Sequence, residues 1–174
     1  MSEFDIRPLT PEDRNWVAKF LDDSWGSTKI VTRAKSYYGH LLPGFVAIQS
    51  GRRAKKDDLR DTDGKRILGL LTYRVEEDEC EVMTLNSIVE DSGAGTALLD
   101  ALKEAARAEN YRRLWLITTN DNLNALRFYQ QRGFALVAVY RDAIAETRKQ
   151  KPQIPVLGQD RIPVRDEIEL EFLL

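Results

Sequence analysis

The chain has one cysteine and one histidine in 174 residues, and each scarcity closes a class of chemistry. A single thiol, Cys80, cannot build an internal disulfide framework and fits a reducing compartment. A single imidazole, His40, excludes a multi-histidine metal site, so no metal is expected. An excess of either charge is also missing: 26 basic against 28 acidic side chains leave a net charge of −2, too little to draw nucleic acid or an anionic membrane. No apolar run reaches membrane length, no charged-then-apolar leader opens the chain, and no internal repeat is visible. The expectation is a cytoplasmic protein with neither nucleic acid nor membrane as partner.

With 43% hydrophobic residues, residues 1–174 suffice for one domain with one core. Phe4 and Ile6 alternate with polar residues as a short strand. Thr10-Pro11-Glu12-Asp13 opens a helix, with Thr10 as cap, Pro11 in the first turn and the acids at the positive end of the dipole. Trp16, Val17, Phe20 and Leu21 share one helical face, and the helix stops near Trp25-Gly26. Phe45–Ile48 and Ile67–Tyr73 read as strands on either side of a polar stretch, 50–66, expected to be a long solvated hairpin loop. Leu114–Ile117 and Phe134–Tyr140 read as strands covered by helices. Residues 141–163 form an excursion before the last strand: a short helical piece follows Arg141, and the remainder from Lys151 is irregular, since Pro152, Pro155 and Pro163 exclude regular helix or central strand. Ile168, Leu170 and Phe172 then alternate with Glu167, Glu169 and Glu171, a half-buried strand whose acids form a wet face.

The centre of the chain is 80–134. An apolar strand runs into Glu90-Asp91-Ser92-Gly93-Ala94-Gly95-Thr96, and a helix follows with Leu98, Leu99, Leu102, Ala105 and Ala106 as its buried stripe. Glycines at a strand-to-helix turn let backbone N–H groups approach a phosphate at the positive end of the helix dipole. The turn alone is a weak signal, because Leu98 stands where a dinucleotide fingerprint has its third glycine and no lysine follows to make a Walker loop. The second half, Asn122-x-Asn124-Ala125-x-x-Phe128-Tyr129-x-x-x-Gly133-Phe134, places a tyrosine near the end of the next helix.

Together, Gly93-Ala94-Gly95-Thr96-Ala97-Leu98-Leu99 and the Asn122–Phe134 pattern make residues 67–140 resemble the acyl-coenzyme-A-binding core of the GNAT superfamily of N-acetyltransferases. The resemblance implies an α/β fold: a mixed, mostly antiparallel sheet of six to seven strands, helices on both faces and a splayed central strand pair. It implies acetyl-CoA as co-substrate, held by Asn86, Ser87, Ile88, Ser92, Gly93, Ala94, Gly95, Thr96, Asn122, Ala125, Phe128 and Tyr129. Direct transfer to a small-molecule or N-terminal amine follows, with a homodimer as a possible assembly. Tyr129 would protonate the leaving thiolate or only pack on the coenzyme. Asn122 would bind the coenzyme arm, cap the second helix, or both. Glu81 would deprotonate the amine through water, with Glu167 and Glu169 as rivals. The first helix, the loop after it and a second short helix would wall the acceptor site, bringing Trp25, Ser27, Tyr37, Tyr38 and His40 near the substrate, with Glu167 on the last strand beside it. The acidic strands 76–81 and 167–171 would favour a cationic amine.

Glu90 stands where the family usually has Arg or Gln. It is the feature to watch for an alternative, a coenzyme-binding module of the same fold without transfer. A Cys80–His40 nucleophile and base pair is disfavoured, because the acids around Cys80 would raise its pKa.

Overall fold

In the computed structural model, which describes residues 4–53 and 55–174 and gives 50–53 by backbone alone, a run of five strands follows the first helix, and strands and helices alternate from there on. It runs β1 (Phe4–Pro8), α1 (Arg14–Trp25), β2 (Lys29–Thr32), β3 (Lys35–Tyr38), β4 (Gly44–Arg53), β5 (Lys65–Glu76) and β6 (Glu79–Ser87). There follow α2 (Ala94–Ala108), β7 (Arg113–Thr119), α3 (Leu123–Gln131), β8 (Ala135–Tyr140), α4 (Ala143–Gln150) and β9 (Glu167–Leu173). Seven strands make one sheet in the order β1-β4-β5-β6-β7-β9-β8, and β2 and β3 form a separate hairpin. This is the mixed, mostly antiparallel sheet that the resemblance implies.

Among the described residues only β6 and β7 run parallel, as a strand–helix–strand crossover through α2 requires. Their register covers Glu79–Glu81 against Arg113–Trp115. Past Glu81 the two strands part, while β6 stays paired to β5 as far as Ser87 and β7 to β9 as far as Thr119. The splayed pair is therefore open at one end and held from both outer sides.

Helices cover both faces. Leu70 packs with Val17 and Leu21 under α1, while Leu71 joins Leu98, Leu99 and Leu102 of α2 on the other side. Each of these buried leucines contributes on the order of 2 kcal/mol by leaving water. The start of α2 is set by Gly93, whose φ of +77° lies in the left-handed region that an L side chain resists. Gly26, at φ +70°, closes α1 where the sequence predicts its end.

Several expectations are corrected. Pro11–Asp13 is a 3₁₀ turn and α1 begins at Arg14; Asp13, 1% exposed, is instead held by Arg7. The segment after α1 is the β2–β3 hairpin and a 3₁₀ turn at Gly39–Leu41 rather than a second helix. Strand pairing extends the 50–66 hairpin to Arg53 and resumes at Lys65. Its loop is anchored too: Asp61 is buried and accepts from the Asp63 and Lys65 N–H groups and from Arg7. Ala54 and the side chains of Arg52 and Arg53 lie outside the described residues. β8 is the sheet's edge, with Leu136, Val137 and Val139 exposed, because β9 returns between it and β7. The acidic face of β9 is dry at its start. Glu167 and Glu169 are 5% and 2% exposed, because α4 and the β2–β3 hairpin lie against that face. Among the described residues no helix is long and apolar enough to cross a membrane.

Candidate functional site

Where β6 and β7 part, the sheet cannot close its own backbone pairs, and two adjoining cavities fill the fork. One, of about 380 Å³, is lined by Leu85, Asn86 and Ser87 of β6, Gly95 of α2, and Ala125, Phe128 and Tyr129 of α3. The other, of about 310 Å³, opens toward β2, α4 and β9 and reaches Glu81 and Glu167. Trp25, Val82, Met83, Ile117, Thr118 and Asn122 line both. A molecule threaded through the fork would have one end in each cavity.

The first cavity fits an acyl-coenzyme-A arm on two observations. Asn86 Oδ1 is buried with no hydrogen-bond partner among the described residues, and it stands in the wall where an amide N–H could reach it. A Cβ built on Gly95 would point at the Phe128 ring, 3.5 Å away, and at Ser87 Cβ, 3.8 Å away, so the glycine keeps the mouth open beside the first turn of α2. That turn leaves backbone N–H groups without intrahelical acceptors. Ser92 Oγ fixes the turn, donating to the Val89 carbonyl at 2.8 Å and accepting from the Ala94 N–H at 3.3 Å.

Of the other residues expected at the coenzyme, Ala94 is in the core and could contribute only backbone. Ile88 packs beside Val46 and Ile67. Asn122 caps α3, its Oδ1 accepting from the Ala125 N–H at 3.1 Å, while it lines both cavities.

Arg132 was not singled out in the sequence. Its Nε and Nη2 donate to Thr96 Oγ1 at 3.0 and 2.7 Å, and its guanidinium lies 3.6 Å from the Phe128 ring centroid. This sets a cation against the N-terminal turn of α2, and the Arg immediately before Gly133 was the available signal. Glu90 is exposed on the same loop.

Tyr129 is 7% exposed, with Phe128 and Phe134 edge-on at 5.2 Å. Burial pushes its pKa up, so the phenol holds its proton at neutral pH. Glu81 is 2% exposed. Thr32 Oγ1 donates to its Oε1 at 2.8 Å and Arg74 Nε to its Oε2 at 2.5 Å. Burial raises its pKa, and Thr32 and Arg74 oppose that rise. Cys80 is sealed in the core, its thiol pushed up to about 12 by burial and then by Glu81.

Trp25, expected at the acceptor wall, lines both cavities and stands at their seam. Ser27 instead caps the start of β2, accepting from the Lys29 N–H at 2.9 Å. His40 faces a different pocket, with Leu9, Pro11 and Val17, so it meets neither Cys80 nor the fork. Tyr37 stacks on Arg74, 4.8 Å from ring centroid to guanidinium, and Tyr38 is exposed. Glu169 is bound by Arg33, by Arg113 at 3.0 Å and by the Tyr140 hydroxyl at 2.5 Å. Burial would raise its pKa, and those three donors together hold it low. It is therefore a poor rival base.

The sequence profile of the Acetyltransferase (GNAT) family matches residues 48–134. YxbD of Bacillus subtilis strain 168 is 39% identical over 165 residues, 95% of this chain and 96% of its own. Among solved structures, a GNAT family acetyltransferase from Elizabethkingia anophelis with acetyl-CoA bound superposes with a TM-score of 0.64 at 17% identity, covering 100% of both chains. The ribosomal-protein-S18-alanine N-acetyltransferase of Escherichia coli gives 0.64 at 16%, covering 98% of this chain and 93% of that one.

Proposed function

The chain belongs to the GNAT acetyltransferase family and is an acyltransferase by that membership, and from this premise we propose that it moves an acetyl group from acetyl-CoA directly to an amine. The observation that carries the reading is the fork itself, which joins a cavity bearing an orphaned Asn86 amide oxygen to a second cavity bearing Glu81. Acetyl-CoA supplies an activated thioester carbonyl. In this reading the N-terminal turn of α2 receives the pyrophosphate, with Arg132 beside it adding positive potential. Asn86 accepts from an amide N–H of the arm, and unpaired backbone of β6 and β7 polarises the acetyl carbonyl.

Glu81 takes a proton from the incoming amine through water, because its raised pKa makes it a stronger base than an exposed glutamate. The new C–N bond forms as the C–S bond breaks, and Tyr129 returns a proton to the sulfur, leaving N-acetylated amine and free coenzyme A. The alternative is a coenzyme-binding module without transfer. Arg132 weakens the argument for it from Glu90, since a guanidinium next to the turn offsets the missing basic residue there. The deciding experiment measures free-thiol release from acetyl-CoA with a mixture of amines, alongside calorimetric binding of coenzyme A. Binding without release for every amine would leave the module.

A further inference from the structure

We propose that the acceptor is a primary amine carried on an apolar body, seated in the cavity of about 310 Å³ with its ammonium against Glu167. The inference rests on the transfer reading above and names the substrate class of that site. The cavity walls are apolar, with Ile30 and Val31 from β2, Ile144 from α4, Ile154 and Pro155 after it, and Val164. Its volume is at the small end of the range for ligand pockets, roughly 300–1,000 Å³.

The polar groups of this cavity are Glu81, Asp121, Lys151 and Glu167 together with threonines and Asn122, and they are not equivalent. Glu81 has Arg74. Asp121 is committed to the loop above it, accepting from the Gln159 N–H at 3.1 Å and from the Thr119 hydroxyl at 2.5 Å. Lys151 donates to the Lys29 carbonyl at 3.2 Å, and burial lowers its pKa.

Glu167 differs from the other buried acids of the sheet. It is 5% exposed, its Oε1 accepts from Thr147 Oγ1 at 2.8 Å, and among the described residues no cation pairs with it. Its strand neighbour Glu169 is held by two arginines. A buried carboxylate is costly without a counter-ion, and here it faces the cavity that adjoins the fork. An ammonium entering from the ligand supplies that counter-ion, in the same cavity that Glu81 lines. The walls then choose the rest of the molecule. A hydrocarbon body gains by leaving water against isoleucine, valine and proline, whereas a second ammonium would meet Lys151 and two acids, Glu81 and Asp121, whose oxygens are already bound.

The test compares isopentylamine and phenethylamine with spermidine and an aminoglycoside, by calorimetry on the coenzyme-A-bound protein and by kcat/KM with acetyl-CoA. The two monoamines should bind and react at least about tenfold better than the polycations. Glu167→Gln should raise their Kd and KM by about tenfold or more while coenzyme A affinity stays within about threefold. If that variant fails to fold, Ile154→Asp on the surface-proximal wall serves instead and should weaken the monoamines similarly. Preference for spermidine or the aminoglycoside, or unchanged monoamine binding in the variants, overturns the inference while leaving transfer intact. Absence of coenzyme A binding to the parent protein would instead remove the transfer reading and this inference with it.

Discussion

Thr32 Oγ1 donates to Glu81 Oε1 at 2.8 Å, joining residues 49 positions apart. The bond ties the end of β2 to the central strand at the last rung before β6 and β7 part, so the hairpin both roofs the carboxylate and sets its basicity. Removing the hydroxyl in Thr32→Val deletes an influence that lowers the Glu81 pKa while burial, which raises it, remains. The acid limb of the pH profile of kcat/KM should therefore move to higher pH in Thr32→Val and vanish in Glu81→Gln, with a lower rate in both. A limb unmoved by either change would assign it to another group.

The Arg7–Asp13 pair should govern stability in acid. Burial alone would raise the Asp13 carboxyl, but Arg7, the Thr10 N–H and the Trp16 indole hold it at about 2, below its ordinary 3.8. A depressed folded pKa contributes stability that is complete above the unfolded value and is lost as pH falls from about 4 toward about 2. Holding the carboxyl at about 2 instead of 3.8 corresponds to about 2 kcal/mol at neutral pH. Asp13→Asn should lose about that much in urea unfolding at pH 7, and the gap between variant and parent should close near pH 2. A gap independent of pH would show that packing rather than charge holds this corner.

The periodicity of 94–106 and the glycine turn made α2 and its mouth legible in the sequence, because those signals are local. The splayed strand pair was legible only through the resemblance. What stayed hidden depends on contacts between distant segments. The face bearing Glu167 and Glu169 alternates as a solvent-facing edge would, and only the fold shows Arg33 and Arg113, from elsewhere in the chain, closing over Glu169. Arg132 reads as a surface residue near a helix end until α2 is brought against it. His40 and Ser27 were placed near the substrate by the resemblance, and their backbone turns send them elsewhere: one beneath α1, the other into a cap on β2.

Coenzyme binding should respond separately to space and to charge at the start of α2. A Cβ at Gly95 meets only ordinary contacts, so Gly95→Ala should fold with little change in Tm, and the methyls of Gly95→Val then intrude at the mouth beside Phe128. Calorimetric coenzyme A affinity should fall by at least about tenfold, as expected when a backbone approach to phosphate is blocked. Arg132→Ala should also weaken binding, but with a shallower salt dependence than the parent, since it removes a screened attraction rather than space. Parent-like affinity in a folded Gly95→Val protein would put the pyrophosphate elsewhere.

Tyr129→Phe isolates the proton from the ring. The ring is wedged between Phe128 and Phe134, and among the described residues no group hydrogen-bonds its hydroxyl, so the variant should keep its Tm and its coenzyme A affinity. If the hydroxyl protonates the departing sulfur, kcat should fall by about 10²–10⁴-fold, the usual range for a general acid. The fall should be smaller for a thioester donor whose thiol is more acidic than coenzyme A, because a better leaving group depends less on proton donation. A kcat within about twofold of the parent with either donor would reduce Tyr129 to a packing residue, and the thiolate would then leave without a side-chain acid.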